Sequence, residues 1–124
     1  MTLACLQSVY AETRTPFELI IVYNASADGS ILAIRNAFPP ETHPNLKLIA
    51  ETENHGFGPA HRLALSYVTT DIFVLLNPDT VVLDNALDNL IAFSQRTPEA
   101  GIWGGRTLYR DGSLNPTSVF QRMT

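Results

Sequence analysis

Residues 17–30 read Phe-Glu-Leu-Ile-Ile-Val-Tyr-Asn-Ala-Ser-Ala-Asp-Gly-Ser. Phe17 to Val22 is a short apolar run, rich in β-branched residues and with little alternation, which predicts a strand buried on both faces. The polar turn Asn24 to Gly29 follows it. Ser26 or Asp28 is placed there to cap a helix that runs through Phe38.

Working outward, Leu3, Leu6, Val9 and Tyr10 recur at helical spacing, so residues 2–12 read as an amphipathic helix. That helix stops at Thr13 to Pro16, because the residue before a proline is biased away from helical backbone. On the other side, Pro39-Pro40 ends the helix begun near Ser30. Leu46 to Ile49 reads as a second strand, and a glycine-containing loop, Asn54 to Pro59, opens a helix to about Val68. Ile72-Phe73-Val74-Leu75-Leu76 predicts a third buried strand that stops at the turn Asn77-Pro78-Asp79-Thr80. Asp84 is expected to cap a helix with Leu87, Leu90, Ile91 and Ser94 on one stripe, closed by Pro98. Gly101 to Gly105 reads as a short strand, and Leu108 to Leu114 as a hairpin turning at Asp111-Gly112.

Strand, helix, strand, helix, strand is the rhythm of an α/β fold with a mostly parallel sheet and flanking helices. Right-handed crossovers set all strand C-terminal ends on one edge, where such sheets bind ligands. Asn24 to Asp28 and Asn77 to Thr80 are therefore expected to share a site. The 124 residues fit a single domain, 1–124, without repeats or linkers.

Composition bounds the function. A hydrophobic share of 45% and a charged share of 16% suit a folded globular chain. A net charge of −4 gives nucleic-acid binding no electrostatic support. No apolar run approaches membrane-spanning length and no signal peptide is visible, so no membrane span is expected. Cys5 is the single cysteine; a lone thiol forms no internal disulfide, and a reducing, cytoplasmic location is the simple expectation.

Several residues are candidates for chemistry. Asp79 projects a carboxylate beyond the strand end, which suits Mg²⁺ or Mn²⁺ when phosphates supply the other ligands; a plain strand-ending turn explains the same residues. The Asn24 to Asp28 turn offers short polar side chains and backbone N–H groups to an anion or a ribose, or simply caps a helix. Gly56 and Gly58 permit close backbone approach by a ligand, or merely a tight turn. His61 and Arg62 follow on the helix and reach for phosphate, or sit on a solvated face. Trp103 between glycines fits stacking on a sugar, or core packing. His43 beside Pro44 reads as a surface residue. No cluster has zinc spacing, and no Walker A loop or nucleophile elbow is present.

Taken in order, these segments resemble the family-2 glycosyltransferases of the GT-A, nucleotide-diphospho-sugar transferase-like fold, above all the bacterial rhamnosyltransferase type. The likeness rests on Cys5 to Val9, Glu18 to Ser30, Asn54 to Ala60, Leu75 to Thr80 and Gly101 to Gly105, nearly the whole chain. It implies hexosyl transfer from a nucleoside-diphosphate sugar, UDP- or dTDP-linked, to an acceptor hydroxyl. It implies that Asp79 holds a divalent metal, Mg²⁺ or Mn²⁺, on the diphosphate and that Asn77 supports that turn. Tyr23, Asn24, Ser26 and Asp28 would line the nucleoside pocket, with Gly56, His61 and Arg62 approaching the nucleotide.

Three departures qualify the likeness. Tyr23 stands where the family places a base-reading Asp. The family's first strand, central in its sheet, has no counterpart before Leu3. No carboxylate matches the family's catalytic base. The resemblance thus implies a partial domain, incomplete at both ends and inactive alone, with the sheet covered by a rearranged strand order or by self-association. A non-catalytic pseudo-enzyme or partner-binding module of the same fold is the alternative. An unrelated flavodoxin- or Rossmann-type protein is disfavoured by the lack of a G-x-G-x-x-G loop.

Overall fold

The computed structural model describes residues 1–25 and 29–116. Six elements follow in order: α1 (Thr2–Glu12), β1 (Leu19–Asn24), α2 (Ser30–Ala37), β2 (Leu46–Glu51), α3 (Phe57–Leu65) and α4 (Ala86–Arg96). β1 and β2 pair in parallel, from Leu19 opposite Leu46 to Asn24 opposite Glu51. This is the α/β architecture the periodicity predicts, with a two-stranded sheet among the described residues.

Side chains alternate across a strand, so Leu19 and Ile21 of β1 and Leu46 and Leu48 of β2 share one face. That face packs against Leu6 of α1 and Ile34 and Phe38 around α2, the centre of the core. Tyr10 stacks on Phe38 with ring centroids 5.4 Å apart, and its hydroxyl donates to Asn45 Oδ1 at 3.1 Å. Asn45 Nδ2 donates to Phe17 O at 3.1 Å, and Asn45 O accepts from Leu19 N at 2.8 Å. One asparagine thus joins the entries of both strands to α1. His43, expected at the surface, is half-buried, edge-on to Tyr10 at 4.8 Å and Phe38 at 5.0 Å. α3 packs on β1, and Lys47 reaches from β2 over the Tyr67 ring, 4.1 Å from its centroid.

The third strand does not form. Residues 72–76 belong to no helix or strand, every one is exposed, and no backbone hydrogen bond joins them to another described segment. β-branched and aromatic composition favours a strand, but a ladder needs a neighbour's backbone, and among the described residues the sheet holds only β1 and β2. Gly101 to Gly105 likewise stays outside any ladder. The hairpin does form: Leu108 and Leu114 bridge in antiparallel fashion, with Gly112 at φ 83° in the turn.

Asp84 does not cap α4. The N-cap is Asn85, no side chain caps the helix, and both residues have positive φ. The expected role passes to a longer-range contact. Asp88, in the first turn of α4, accepts Arg14 N on Oδ2 and Thr15 N on Oδ1, each at 2.9 Å. Hydrogen bonds from the Thr15 hydroxyl and then from these two amides hold the Asp88 carboxyl below its usual pKa. A depressed carboxylate adds stability above its unfolded pKa, about 3.9, and loses it as pH falls through the lower folded value. Wild type should therefore melt above Asp88→Asn at neutral pH, and the gap should close below about pH 4. Thermal melts of both proteins between neutral pH and pH 3 check this; a gap independent of pH would count against the clamp.

Candidate functional site at the carboxyl edge of the sheet

Because β1 and β2 run parallel, Asn24 and Glu51 end on the same edge, and the segments after them meet there. Asn24 Nδ2 donates to Asn54 Oδ1 at 2.9 Å and to Gly56 O at 3.2 Å. Asn24 Oδ1 accepts His55 N at 3.0 Å, and Asn54 Oδ1 also accepts Gly56 N at 2.9 Å. His55 Nε2 lies 3.5 Å from Glu51 Oε2 across exposed surface, a pair worth little by itself.

Gly56 is the N-cap of α3 with φ 84°, a backbone that only glycine adopts without strain. Ala25, directly after Asn24, has φ 55°, the left-handed region in which a non-glycine residue is strained. A Cβ built on Gly56 or Gly58 would meet nothing within 4 Å. The space at the Cβ position of both glycines is open. The first turn of α3 has no side-chain cap hydrogen bond, so its amides are not taken up by a capping side chain.

His61 Nδ1 donates to Phe57 O at 2.8 Å, one turn back on the helix, and its ring lies 4.0 Å from that of Phe57. This contact leaves Nε2 as the ring atom able to meet a ligand. Arg62 is exposed and joins no ion pair among the described residues. Tyr23 is half-buried near the end of β1, opposite Ala50. Ser26 and Asp28 lie outside the described residues.

The turn at 77–80 is built separately. Thr80 donates twice to Asn77 O, from N at 3.2 Å and from Oγ1 at 2.7 Å. Cys5 Sγ supports the same carbonyl from below at 3.6 Å, and Val82 N donates to Ser8 Oγ at 2.8 Å, so α1 anchors the turn. Burial pushes the Cys5 thiol pKa up; the Thr80 contact opposes the rise and the Asp79 charge adds to it. Cys5 is buried, and its raised pKa favours the protonated thiol.

Asp79 is exposed and forms no ion pair among the described residues. No described group of three His, Cys, Asp or Glu residues is poised to hold a metal. No hydrogen bond links the 77–80 turn to the Asn24–Asn54–Gly56 cluster. The structure thus links Asn24 and Gly56 by hydrogen bonds, adds Asn54 and His55, and among the described residues joins Asp79 to none of them by a hydrogen bond. In the sequence, Asn54 signals its partnership with Asn24 only through the Asn-x-Gly spacing of an Asx turn. Trp103 is half-buried, and its Nε1 donates to Thr97 Oγ1 at 2.8 Å just beyond α4. No helix among the described residues is long and apolar enough to cross a membrane.

Comparison with known proteins adds independent findings. The pattern of glycosyl transferase family 2 matches residues 1–121. An uncharacterized glycosyltransferase of Haemophilus influenzae is 26% identical over 119 residues, covering 96% of this chain and 44% of that protein. The O-antigen biosynthesis protein RfbC of Myxococcus xanthus is 31% identical over 123 residues, covering 96% of this chain and 9% of that protein. The chain thus spans less than half the length of either relative. No solved structure matches it.

Proposed function

The chain belongs to glycosyl transferase family 2, and from that premise we propose that its sheet edge binds a nucleoside-diphosphate sugar for transfer to an acceptor hydroxyl. The observation that carries the reading is the Asn24–Asn54–Gly56 cluster at the ends of two parallel strands, with open space above Gly56 and Gly58. Backbone after β1 and the first turn of α3 would meet the nucleotide, and His61 Nε2 and Arg62 the phosphates. Uridine or thymidine diphosphate sugars are the proposed donors.

Asp79 is the proposed ligand for Mg²⁺ or Mn²⁺. An exposed carboxylate without an ion-pair partner among the described residues fits a cation that takes its remaining ligands from diphosphate and water. When bound, such a metal neutralises charge on the leaving diphosphate. Transfer breaks the bond from the anomeric carbon to the diphosphate oxygen and forms one to the acceptor oxygen. The hydroxyl proton must pass to a base, and we assign that role to no residue of this chain.

Calorimetric titration with Mn²⁺ and uridine, thymidine or guanosine diphosphate tests the reading. Metal-dependent heat with the first two is expected, together with a raised melting temperature. No heat and no melting shift at millimolar ligand would remove the binding claim.

Self-association belongs to the same proposal. Antiparallel pairing of residues 72–76 with a second copy about a two-fold at Val74 sets Ile72 opposite Leu76 and Phe73 opposite Leu75. Asp71 then faces Asn77, whereas a parallel pair would set Asp71 beside its own copy. Such pairing would supply the backbone partners that residues 72–76 lack among the described residues, where only Ile72 O is engaged, by the Thr70 hydroxyl at 2.8 Å. Light scattering should show a dimer for wild type and a monomer for Leu75→Lys. A monodisperse wild-type monomer at every concentration would overturn this part.

A further inference from the structure

We propose that Asn24 is a positioning residue: its carboxamide fastens the 54–56 loop and leaves contact with the ligand to the backbone it holds. The inference rests on the reading of this edge as a nucleotide site, and it assigns Asn24 a role other than lining the nucleoside pocket.

A carboxamide has two N–H donors and one acceptor oxygen. Both Asn24 donors are engaged, by Asn54 Oδ1 at 2.9 Å and Gly56 O at 3.2 Å, and its oxygen accepts His55 N at 3.0 Å. The amide's orientation follows from its backbone partners. His55 N can only donate, so it must face the oxygen; Gly56 O can only accept, so it must face the nitrogen. Asn54 Oδ1 receives Gly56 N at 2.9 Å as well, which locks the loop upon itself.

The position explains the use. Asn24 and Glu51 are the last pair of the β1–β2 ladder. Beyond them the side chain of Asn24 supplies the cross-link that a further ladder step would have made. Gly56 O, which takes one Asn24 donor, also accepts Ala60 N at 3.4 Å, the opening bond of α3. Fixing that carbonyl fixes the direction of the helix's first turn and the backbone of Gly56 beneath the open space.

Aspartate at 24 would keep the acceptor for His55 N but set oxygen against Asn54 Oδ1 and Gly56 O. It should fail as badly as alanine, whereas a ligand-contacting acceptor would tolerate it.

The test combines amide hydrogen exchange in the free protein with titration by Mn²⁺ and uridine diphosphate. Asn24→Ala and Asn24→Asp should speed exchange at His55 and Gly56 while leaving the β1–β2 ladder protected. Asn24→Ala and Asn54→Ala should each weaken nucleotide binding roughly tenfold, and the double variant no further, because both act through one loop. Unchanged exchange at His55 and Gly56 in Asn24→Ala would overturn the proposal whether or not nucleotide binds. Additive losses in the double variant would also overturn it, since Asn24 would then touch the ligand itself. If wild type binds no nucleotide, the donor-site reading fails, and so does a positioning role, while faster exchange would still identify Asn24 as the loop's fastener.

Discussion

Asp79→Ala is expected to abolish the metal-dependent part of nucleoside-diphosphate binding and to leave the free protein's melting temperature within roughly 3 °C of wild type. The two halves of that expectation have separate causes. The turn is held by Thr80 on the Asn77 carbonyl, with Cys5 beneath it, and no hydrogen bond or ion pair to another described residue uses the Asp79 carboxylate. Removing the carboxylate therefore removes no structural contact, and an exposed substitution of this kind costs little. Binding is different, because Asp79 is the single protein ligand proposed for the cation. Losing a contact to a charged group costs about 1.5–3 kcal/mol, or roughly ten- to a hundredfold in affinity.

Titration of wild type and variant with uridine diphosphate, with Mn²⁺ and with chelator, reads the effect directly. Equal affinity of the two proteins in Mn²⁺ would exclude Asp79 as the ligand. An independent check lies in the free protein. The Asp79 charge contributes to the raised Cys5 thiol pKa, so that thiol should titrate somewhat lower in the variant.

The elements that could be read from the sequence are those whose cause is local. α1 shows helical spacing and stops before Pro16; β1 and β2 are short apolar runs ended by polar residues; the hairpin turns on Asp111-Gly112. What could not be read depends on partners distant in the chain. Residues 72–76 look like a buried strand by composition, yet burial is conferred by a neighbour that composition cannot name. Asp88 binds amides more than seventy residues away, so its position inside a helix gave no hint of the clamp. His43 reads as solvated beside Pro44, but Tyr10 of α1 and Phe38 just after α2 close on it. The candidate site divides in the same way. Its edge follows from strand order, whereas the Asn24–Asn54 link depends on side-chain geometry across thirty residues.

Ile34→Ala should produce the largest loss of stability of any change considered, about 2–4 kcal/mol in urea unfolding. Ile34 is 2% exposed and sits with Leu6 and Phe38 where α1 and α2 meet the apolar face of β1 and β2. Truncation removes buried methyl groups and leaves space that the surrounding side chains fill only in part. A cleft of about 390 Å³, lined by Ile34, Phe38, Leu46 and Leu48, already flanks the site. That opening lets water or side chains reach the new space, which holds the expected cost below the upper end for core truncations. Ile34→Val, which removes one methyl, should cost only about 0.5–1.5 kcal/mol. Leu32→Ala gives the matching control on the same helix. Leu32 is 66% exposed, and alanine is the better helix former, so that change should be near neutral. If Leu32→Ala proves as damaging as Ile34→Ala, the packing of α1 and α2 on the sheet is not what holds this domain together, and the edge that bears the candidate site must be supported in another way.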